Sequence, residues 1–124
     1  MMRRVVAINT GNSGGGAEKV AYGLAKALHL RGHASTFMAR RIDYGADECA
    51  RSIIVPVPEA PLLYSAGNLL DDIFSTQYLF YLPTWRLPLL EPVAHADVIH
   101  LHNMHGNYFS LPTIPFLMWQ KPVV

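Results

Sequence analysis

The sequence has a single cysteine, no long apolar run and almost no excess of charge. Cys49 alone cannot close an internal disulfide, and the paired thiols of zinc and redox sites are missing, which favours a reducing compartment and an inert thiol. Ten Lys and Arg stand against nine Asp and Glu, a formal net charge of +1. Binding to a phosphate backbone requires a strongly basic footprint, so we expect no nucleic-acid partner.

The apolar segments are also too short for a secretory signal or a membrane span. After Met1-Met2-Arg3-Arg4 the N-terminus has an apolar stretch of only residues 5–8 before a polar turn, too short for a signal. Later segments are interrupted by charges and prolines, so none approaches the ~20 residues that cross a bilayer. The chain has 124 residues, of which 51% are apolar. This is enough for one packed domain, and we predict a single domain over residues 1–124.

The first third of the chain predicts a βαβ unit. Residues 3–9 form a β-branched run typical of a strand buried on both faces of a parallel sheet. A glycine-rich turn over residues 11–16 follows, and then small or apolar residues at helical spacing: Ala17, Val20, Ala21, Leu24, Ala25 and Leu28. Gly32 is predicted to end this helix in the left-handed conformation, with a second strand over residues 34–39. Such units have right-handed crossovers.

The rest of the chain predicts further alternation of helices and strands. The predicted elements are a loop over residues 40–49, a strand over 52–57, a helix over 62–82, a short helix over 85–94, a strand over 97–102, a helix over 111–119 and a strand beginning at Val123. The predicted fold class is therefore α/β, a Rossmann-like parallel sheet flanked by helices.

Three consecutive glycines, Gly14, Gly15 and Gly16, separate the first strand from its helix. Glycine lets a ligand approach the backbone closely, and the free N–H groups of a helix start attract anions, so the loop is a candidate phosphate-binding site. The alternative is that the glycines only form a tight turn and let the helix pack on the sheet.

Two known phosphate-binding motifs do not fit this loop. Gly16 is followed by Ala17 rather than the Lys-Ser or Lys-Thr of a P-loop. A dinucleotide fingerprint needs Gly or Ala where Lys19 stands, and an acidic residue where Arg40 and Arg41 stand. Nucleoside triphosphatase and NAD-binding functions are therefore disfavoured.

Four histidines, His95, His100, His102 and His105, lie within eleven residues. On a strand His100 and His102 point the same way, and residues 102–107 follow that strand at the edge where the glycine loop also lies. We therefore predict a polar binding loop that includes His102, Asn103 and His105. A metal site of His100, His102 and His105 is a weaker alternative because carboxylates are sparse nearby; in another, His100 is a hydrogen-bonded core residue and the others are solvated.

An aromatic-rich stretch precedes the second half of the predicted sheet. Its members are Tyr64, Phe74, Tyr78, Phe80, Tyr81 and Trp85. Core packing accounts for most of them, while any exposed part would be a membrane-facing or sugar-stacking patch.

Taken together, these motifs resemble family 4 glycosyltransferases of the GT-B fold. The resemblance lies in the Gly-Gly-Gly-Ala-Glu-Lys-Val-Ala run at 14–21 with Arg-Gly-His at 31–33, and in Ala-Asp-Val-Ile-His-Leu-His-Asn at 96–103. The segments 77–86 and 105–109 are similar to the branch associated with bacterial exopolysaccharide and colanic-acid-type synthesis.

The resemblance implies a hexosyltransferase-type enzyme that moves a sugar from a nucleotide-sugar donor to a glycan or lipid-linked acceptor. It implies no metal and no cofactor, the donor being a co-substrate. Residues 1–124 would be the N-terminal acceptor-side domain, with Gly14, Gly15 and Gly16 at the donor diphosphate. His102, Asn103 and His105 match a loop that faces the cleft, and no catalytic residue is carried over. The implied location is the cytoplasm, either free or in peripheral contact with the inner face of the membrane.

The same resemblance predicts a truncated enzyme. The donor-binding domain with its Glu-x7-Glu motif, and a Thr-Leu-His-Asp-like segment, would follow Val124. We therefore expect these residues alone to lack transferase activity, because groups that position both substrates are missing. An exposed sheet edge at Val123 and Val124 predicts self-association. The alternative function is a stand-alone Rossmann-like module that binds a phosphorylated ligand or a protein partner.

Overall fold

A computed structural model describes residues 1–76, 79–104 and 109–124 and shows an α/β fold. Four parallel strands form one sheet in the order β3-β2-β1-β4. The strands are β1 (Arg4–Gly11), β2 (Ala34–Arg41), β3 (Ile54–Pro56) and β4 (Val98–Leu101). The helices are α1 (Gly16–Leu30), α2 (Glu48–Ile53), α3 (Pro61–Phe74), α4 (Glu91–Ala94) and α5 (Thr113–Gln120), with a 3₁₀ helix at Leu82–Leu89. The predicted Rossmann-like parallel sheet flanked by helices is confirmed.

The βαβ unit predicted from the first third of the chain is present. β1 and β2 pair in parallel, joined by α1. Gly32 ends the helix with φ +87°, as predicted. Its N–H donates to the carbonyl oxygen of His29 (3.0 Å), and the N–H of His33 donates to that of Leu28 (3.1 Å), so the last carbonyls of α1 are satisfied by a Schellman motif.

Apolar side chains cover both faces of the sheet. One face packs under α1 and α2 and is built mainly from alanines around Phe37: Ala7, Ala21, Ala25, Phe37, Ala39, Ala50, Ile53 and Ile54. The other packs under the 3₁₀ helix, α4 and α5, with larger side chains: Val6, Ile8, Met38, Val57, Leu87, Val93, Ala96, Ile99, Phe109 and Leu117. β1 is therefore buried on both faces, as its β-branched sequence predicts.

Two predicted segments differ from the structure near the middle of the chain. The predicted loop over residues 40–49 is shorter, because β2 extends to Arg41 and α2 begins at Glu48. Asp47 caps α2 by accepting a hydrogen bond from the N–H of Cys49 (3.0 Å). α2 in turn takes the first residues of the predicted strand 52–57, leaving β3 at Ile54–Pro56.

The helix predicted over residues 62–82 is also too long. α3 ends at Phe74, where Ser75 adopts the left-handed conformation with φ 51°. The predicted helix over 85–94 is two elements, a 3₁₀ helix and α4, because Pro83, Pro88 and Pro92 cannot donate the hydrogen bonds of a continuous α-helix.

Residues 122–124 pair with β4 in parallel. The N–H of Leu101 donates to the carbonyl oxygen of Val124 (2.8 Å), and the N–H of Val124 donates to that of Ile99 (2.9 Å). The predicted start of a strand at Val123 is thus confirmed. Within the described ranges, no helix combines the length and apolarity that crossing a membrane requires.

Asp47 links α1 to α2. Its Oδ2 accepts hydrogen bonds from the Tyr22 hydroxyl (2.7 Å) and from the Lys26 ammonium (2.8 Å). These bonds, the one from Lys26 first, lower the pKa of the Asp47 carboxyl to about 2. Burial and the neighbouring carboxylate raise the pKa of the Tyr22 hydroxyl.

The lowered pKa of Asp47 makes the α1–α2 contact acid-sensitive. A carboxyl with a depressed pKa in the folded state stabilises the fold above its unfolded pKa of about 3.9, and this contribution is lost as the pH falls through the folded value. We expect Asp47→Asn to narrow the difference between urea midpoints measured at about pH 5 and about pH 2.5. Asp72→Asn, an exposed carboxyl on α3, is the matched control. An equal effect of both variants would contradict the prediction.

Candidate functional site

The candidate site lies at the carboxyl edge of the sheet, between β1 and β4. From β1 the chain builds outward to β2 and β3, then returns to the other side of β1 to form β4. The order of strands therefore reverses between β1 and β4, and in open α/β sheets ligands bind at such a switch point. The segments after β1 and β4, residues 12–15 and 102–104, both begin at this edge, as the sequence predicts.

Hydrogen bonds hold the segment after β4 against the end of β1. The N–H of His102 donates to the carbonyl oxygen of Ile8 (2.8 Å), and the Thr10 hydroxyl donates to that of Asn103 (3.2 Å). Asn103 has φ 43°, a left-handed conformation that asparagine tolerates better than most residues. His102 and Asn103 therefore stand beside β1, while His105, the third residue predicted for this loop, lies outside the described residues.

The glycines of the loop differ in whether backbone conformation or packing requires glycine at their positions. Gly14 has φ +112°, a conformation that other residues rarely adopt, so the turn itself requires glycine there. Gly16 is the first residue of α1, and a Cβ built on it meets none of the described atoms within 4 Å. Neither backbone conformation nor packing requires glycine at position 16, so the space beside the start of α1 is open to a ligand.

Glu18 contributes a negative charge beside this loop. Its Oε2 lies 2.5 Å from the position of a Cβ built on Gly15, so the side chain folds back over the start of α1. Gly15 caps the helix without a side-chain hydrogen bond, and the carboxylate complements the positive end of the helix dipole. An anionic ligand must therefore displace Glu18 from the position that the anion would occupy.

Two buried asparagines, Asn9 and Asn12, make hydrogen bonds in and beside the loop. Neither is predicted from the sequence as a site residue. The Asn12 amide donates to the carbonyl oxygen of Asp43 (2.6 Å) and its Oδ1 accepts from the N–H of Asp43 (2.8 Å), which fixes the loop to the segment after β2. The Asn9 amide donates to the carbonyl oxygen of Gly11 (2.9 Å). Asn9 is fully buried, and its Oδ1 has no hydrogen-bond partner among the described residues. Such a group is costly and rare in native proteins.

His100 and His102 lie side by side, with ring centroids 4.0 Å apart, as their spacing on a strand predicts. Burial, and to a lesser extent the proximity of His100, lower the pKa of His102. His102 is therefore a neutral imidazole at neutral pH, able to hydrogen-bond with a hydroxyl group. Among the residues that the structure describes, no group of three or more His, Cys, Asp or Glu could hold a metal ion; the metal alternative also involves His105, outside them.

The aromatic stretch is partly packed and partly exposed. The rings of Tyr64 and Tyr81 meet edge to face with centroids 5.6 Å apart, and those of Phe74 and Phe80 lie 6.0 Å apart. Trp85 is half exposed, and its indole N–H donates to the Ser110 hydroxyl (2.9 Å). Tyr78 lies outside the described residues. Packing therefore accounts for part of the stretch.

Comparison with known proteins identifies no relative. No protein-family model matches the sequence, and no curated protein or solved structure matches the chain. What the site can bind therefore follows from its own groups, which are a glycine loop at a helix start and the neighbouring His102 and Asn103.

Proposed function

We propose that this chain is the N-terminal, acceptor-side domain of a family 4-type glycosyltransferase. In this proposal the enzyme transfers a sugar from a nucleotide-sugar donor to a glycan or lipid-linked acceptor in polysaccharide synthesis. The observation that carries the proposal is Gly16, the first residue of α1, which has open space where a Cβ would lie and is placed where the strand order reverses. The resemblance of residues 14–33 and 96–103 to that family supports it.

The glycine loop would receive the diphosphate of the donor. The N–H groups at the start of α1 point towards the loop, and the helix dipole places a partial positive charge there. Sugar transfer leaves negative charge on the departing diphosphate, and oriented backbone dipoles stabilise such charge without reorganising. The neutral imidazole of His102 and the backbone of Asn103 would then face the sugar hydroxyls rather than the phosphates.

Nuclear magnetic resonance of the isotope-labelled chain tests this proposal. We expect UDP-glucose or GDP-mannose to shift the backbone amide signals of Gly15, Gly16 and Asn103 in a saturable way. Gly16→Leu should weaken this binding at least about tenfold, because the side chain fills the space that the diphosphate needs. Leucine is a better helix former than glycine, so the fold should persist.

Gly23→Leu is the matched control for this experiment. Gly23 lies in the same helix and a Cβ built on it also meets none of the described atoms within 4 Å, but it is remote from the loop. Equal binding by the two variants, or the absence of saturable shifts at the loop, would contradict the proposal. Inorganic pyrophosphate that binds as tightly as the nucleotide sugars would instead support the alternative, a module for a phosphorylated ligand.

A further inference from the structure

A small cavity opens at the same edge of the sheet, on the side of β2 and β3. Its volume is about 150 Å³, and its lining is Arg40, Glu59, Ala60, Pro61, Tyr64 and Tyr81. Pockets for drug-sized ligands begin at roughly 300 Å³, so this cavity has room for one small ring rather than a chain of them.

The strand register makes this cavity a neighbour of the site between β1 and β4. Asn9 pairs with Ala39 and Gly11 with Arg41, so Thr10 lies beside Arg40 on the adjacent strand. Thr10 in turn donates to the carbonyl oxygen of Asn103. One row of residues therefore runs along the carboxyl edge from the segment after β4, across β1, to the cavity.

Arg40 is held in a defined position within the cavity. Its guanidinium carbon lies 5.3 Å from the centroid of the Tyr64 ring and 6.0 Å from that of Tyr81. Hydrogen bonds with Asn68 and, to a lesser extent, with Arg40 lower the pKa of the Tyr64 hydroxyl. Cation–π contacts of this kind orient the cation before a ligand arrives.

The chemistry of the lining favours an uncharged ligand rich in hydroxyl groups. Arg40 supplies planar N–H donors and Glu59 supplies carboxylate acceptors, and a pair of neighbouring hydroxyls can use both. Pro61 and the tyrosine rings offer apolar contact for C–H groups. A phosphate would be repelled by Glu59, and an apolar group would desolvate both charges without replacing their hydrogen bonds.

We propose that the Arg40 cavity binds one neutral sugar ring of the acceptor, an inference that rests on the proposed glycosyltransferase function. The cavity lies across β1 from His102 and Asn103, and the glycine loop lies at the end of β1 itself. Acceptor and donor would thus meet at one edge of the sheet, which is what transfer between them requires.

The probes for this inference are methyl glycosides, which carry one sugar ring and no phosphate. We expect one of methyl β-glucopyranoside, methyl β-galactopyranoside and methyl α-mannopyranoside to shift the Arg40 side-chain N–H signal and the amides of Ala60 and Tyr64 saturably. Arg40→Gln should weaken this binding about tenfold, because it removes the charged, bidentate guanidinium, and Tyr64→Phe severalfold, because it removes a hydroxyl. Arg41→Gln, an exposed arginine on the same strand, should leave it within about twofold.

Several results would overturn the inference. It fails if no glycoside gives saturable shifts at these signals, if Arg40→Gln and Tyr64→Phe bind as well as the unchanged chain, or if inorganic phosphate binds the cavity in place of the glycosides. Titration of the same sample with nucleotide sugars distinguishes failure of the cavity assignment from failure of the proposed function. If nucleotide sugars shift the Gly16 signal but no glycoside shifts the cavity signals, only the cavity assignment is overturned. If glycosides shift the cavity signals but nucleotide sugars shift nothing at the glycine loop, the role of the Arg40 cavity as an acceptor subsite is overturned.

Discussion

Phe37→Ala is expected to lower the free energy of unfolding by about 3–5 kcal/mol. Phe37 is fully buried in β2 and packs edge to face on Tyr22, with ring centroids 5.7 Å apart. Seven other buried residues form the apolar cluster around Phe37 under α1 and α2, and five of them are alanines. Alanine side chains are too short to fill the space that the ring leaves. Because such cavities persist, the loss should lie near the upper end of the range, a large fraction of the 5–15 kcal/mol typical of a domain.

Urea unfolding followed by circular dichroism measures this loss. Phe116→Ala is the matched control, because Phe116 is mostly exposed on α5 and its removal should change the free energy of unfolding by less than about 0.5 kcal/mol. Phe37→Leu should fall between the two, since leucine fills part of the space. A loss at Phe37 no larger than at Phe116 would mean that the alanine-rich face is not the packed core that the structure shows.

The elements that local sequence determines are those that were predicted well. β1, α1 and β2 follow from a β-branched run, helical spacing of small residues and the left-handed Gly32. α2 was missed because a helix of six residues shows too little periodicity to detect, and its clearest signal is the cap at Asp47. The end of α3 at Phe74 is hard to see in the sequence because only three polar residues follow before an apolar run resumes. The backbone of Phe80 returns to pack on α3.

The residues of the candidate site also fall into those that the sequence predicts and those that it does not. Gly14, Gly15, Gly16, His102 and Asn103 could be placed at one edge from topology alone, since parallel strands end on the same side. The roles of Asn9 and Asn12, and the cavity at Arg40, depend on strand register and on where the segment after β3 turns back. Strand register and the position of that turn depend on tertiary packing, so the pattern of residue types along the chain does not predict them.

Gly67→Ala is expected to lower the free energy of unfolding by about 2–3 kcal/mol. Gly67 is buried in α3, and a Cβ built on it would overlap the carbonyl oxygen of Phe80. That oxygen is a backbone atom and accepts a hydrogen bond from the N–H of Leu82 (2.7 Å), so it cannot swing aside like a side chain. The chain around Phe80 must move instead, and Tyr81, which lines the Arg40 cavity, should move with it.

Gly23→Ala gives this prediction a control of opposite sign. Gly23 is exposed in α1 with open space where its Cβ would lie, so alanine there should raise the free energy of unfolding by about 0.5–1 kcal/mol through helix propensity alone. Urea unfolding of both variants measures the contrast. If Gly67→Ala is also stabilising, the segment around Phe80 does not pack on α3 as described. If it is destabilising, glycoside binding at Arg40 should weaken in parallel, because the cavity shares its Tyr81 wall with that segment.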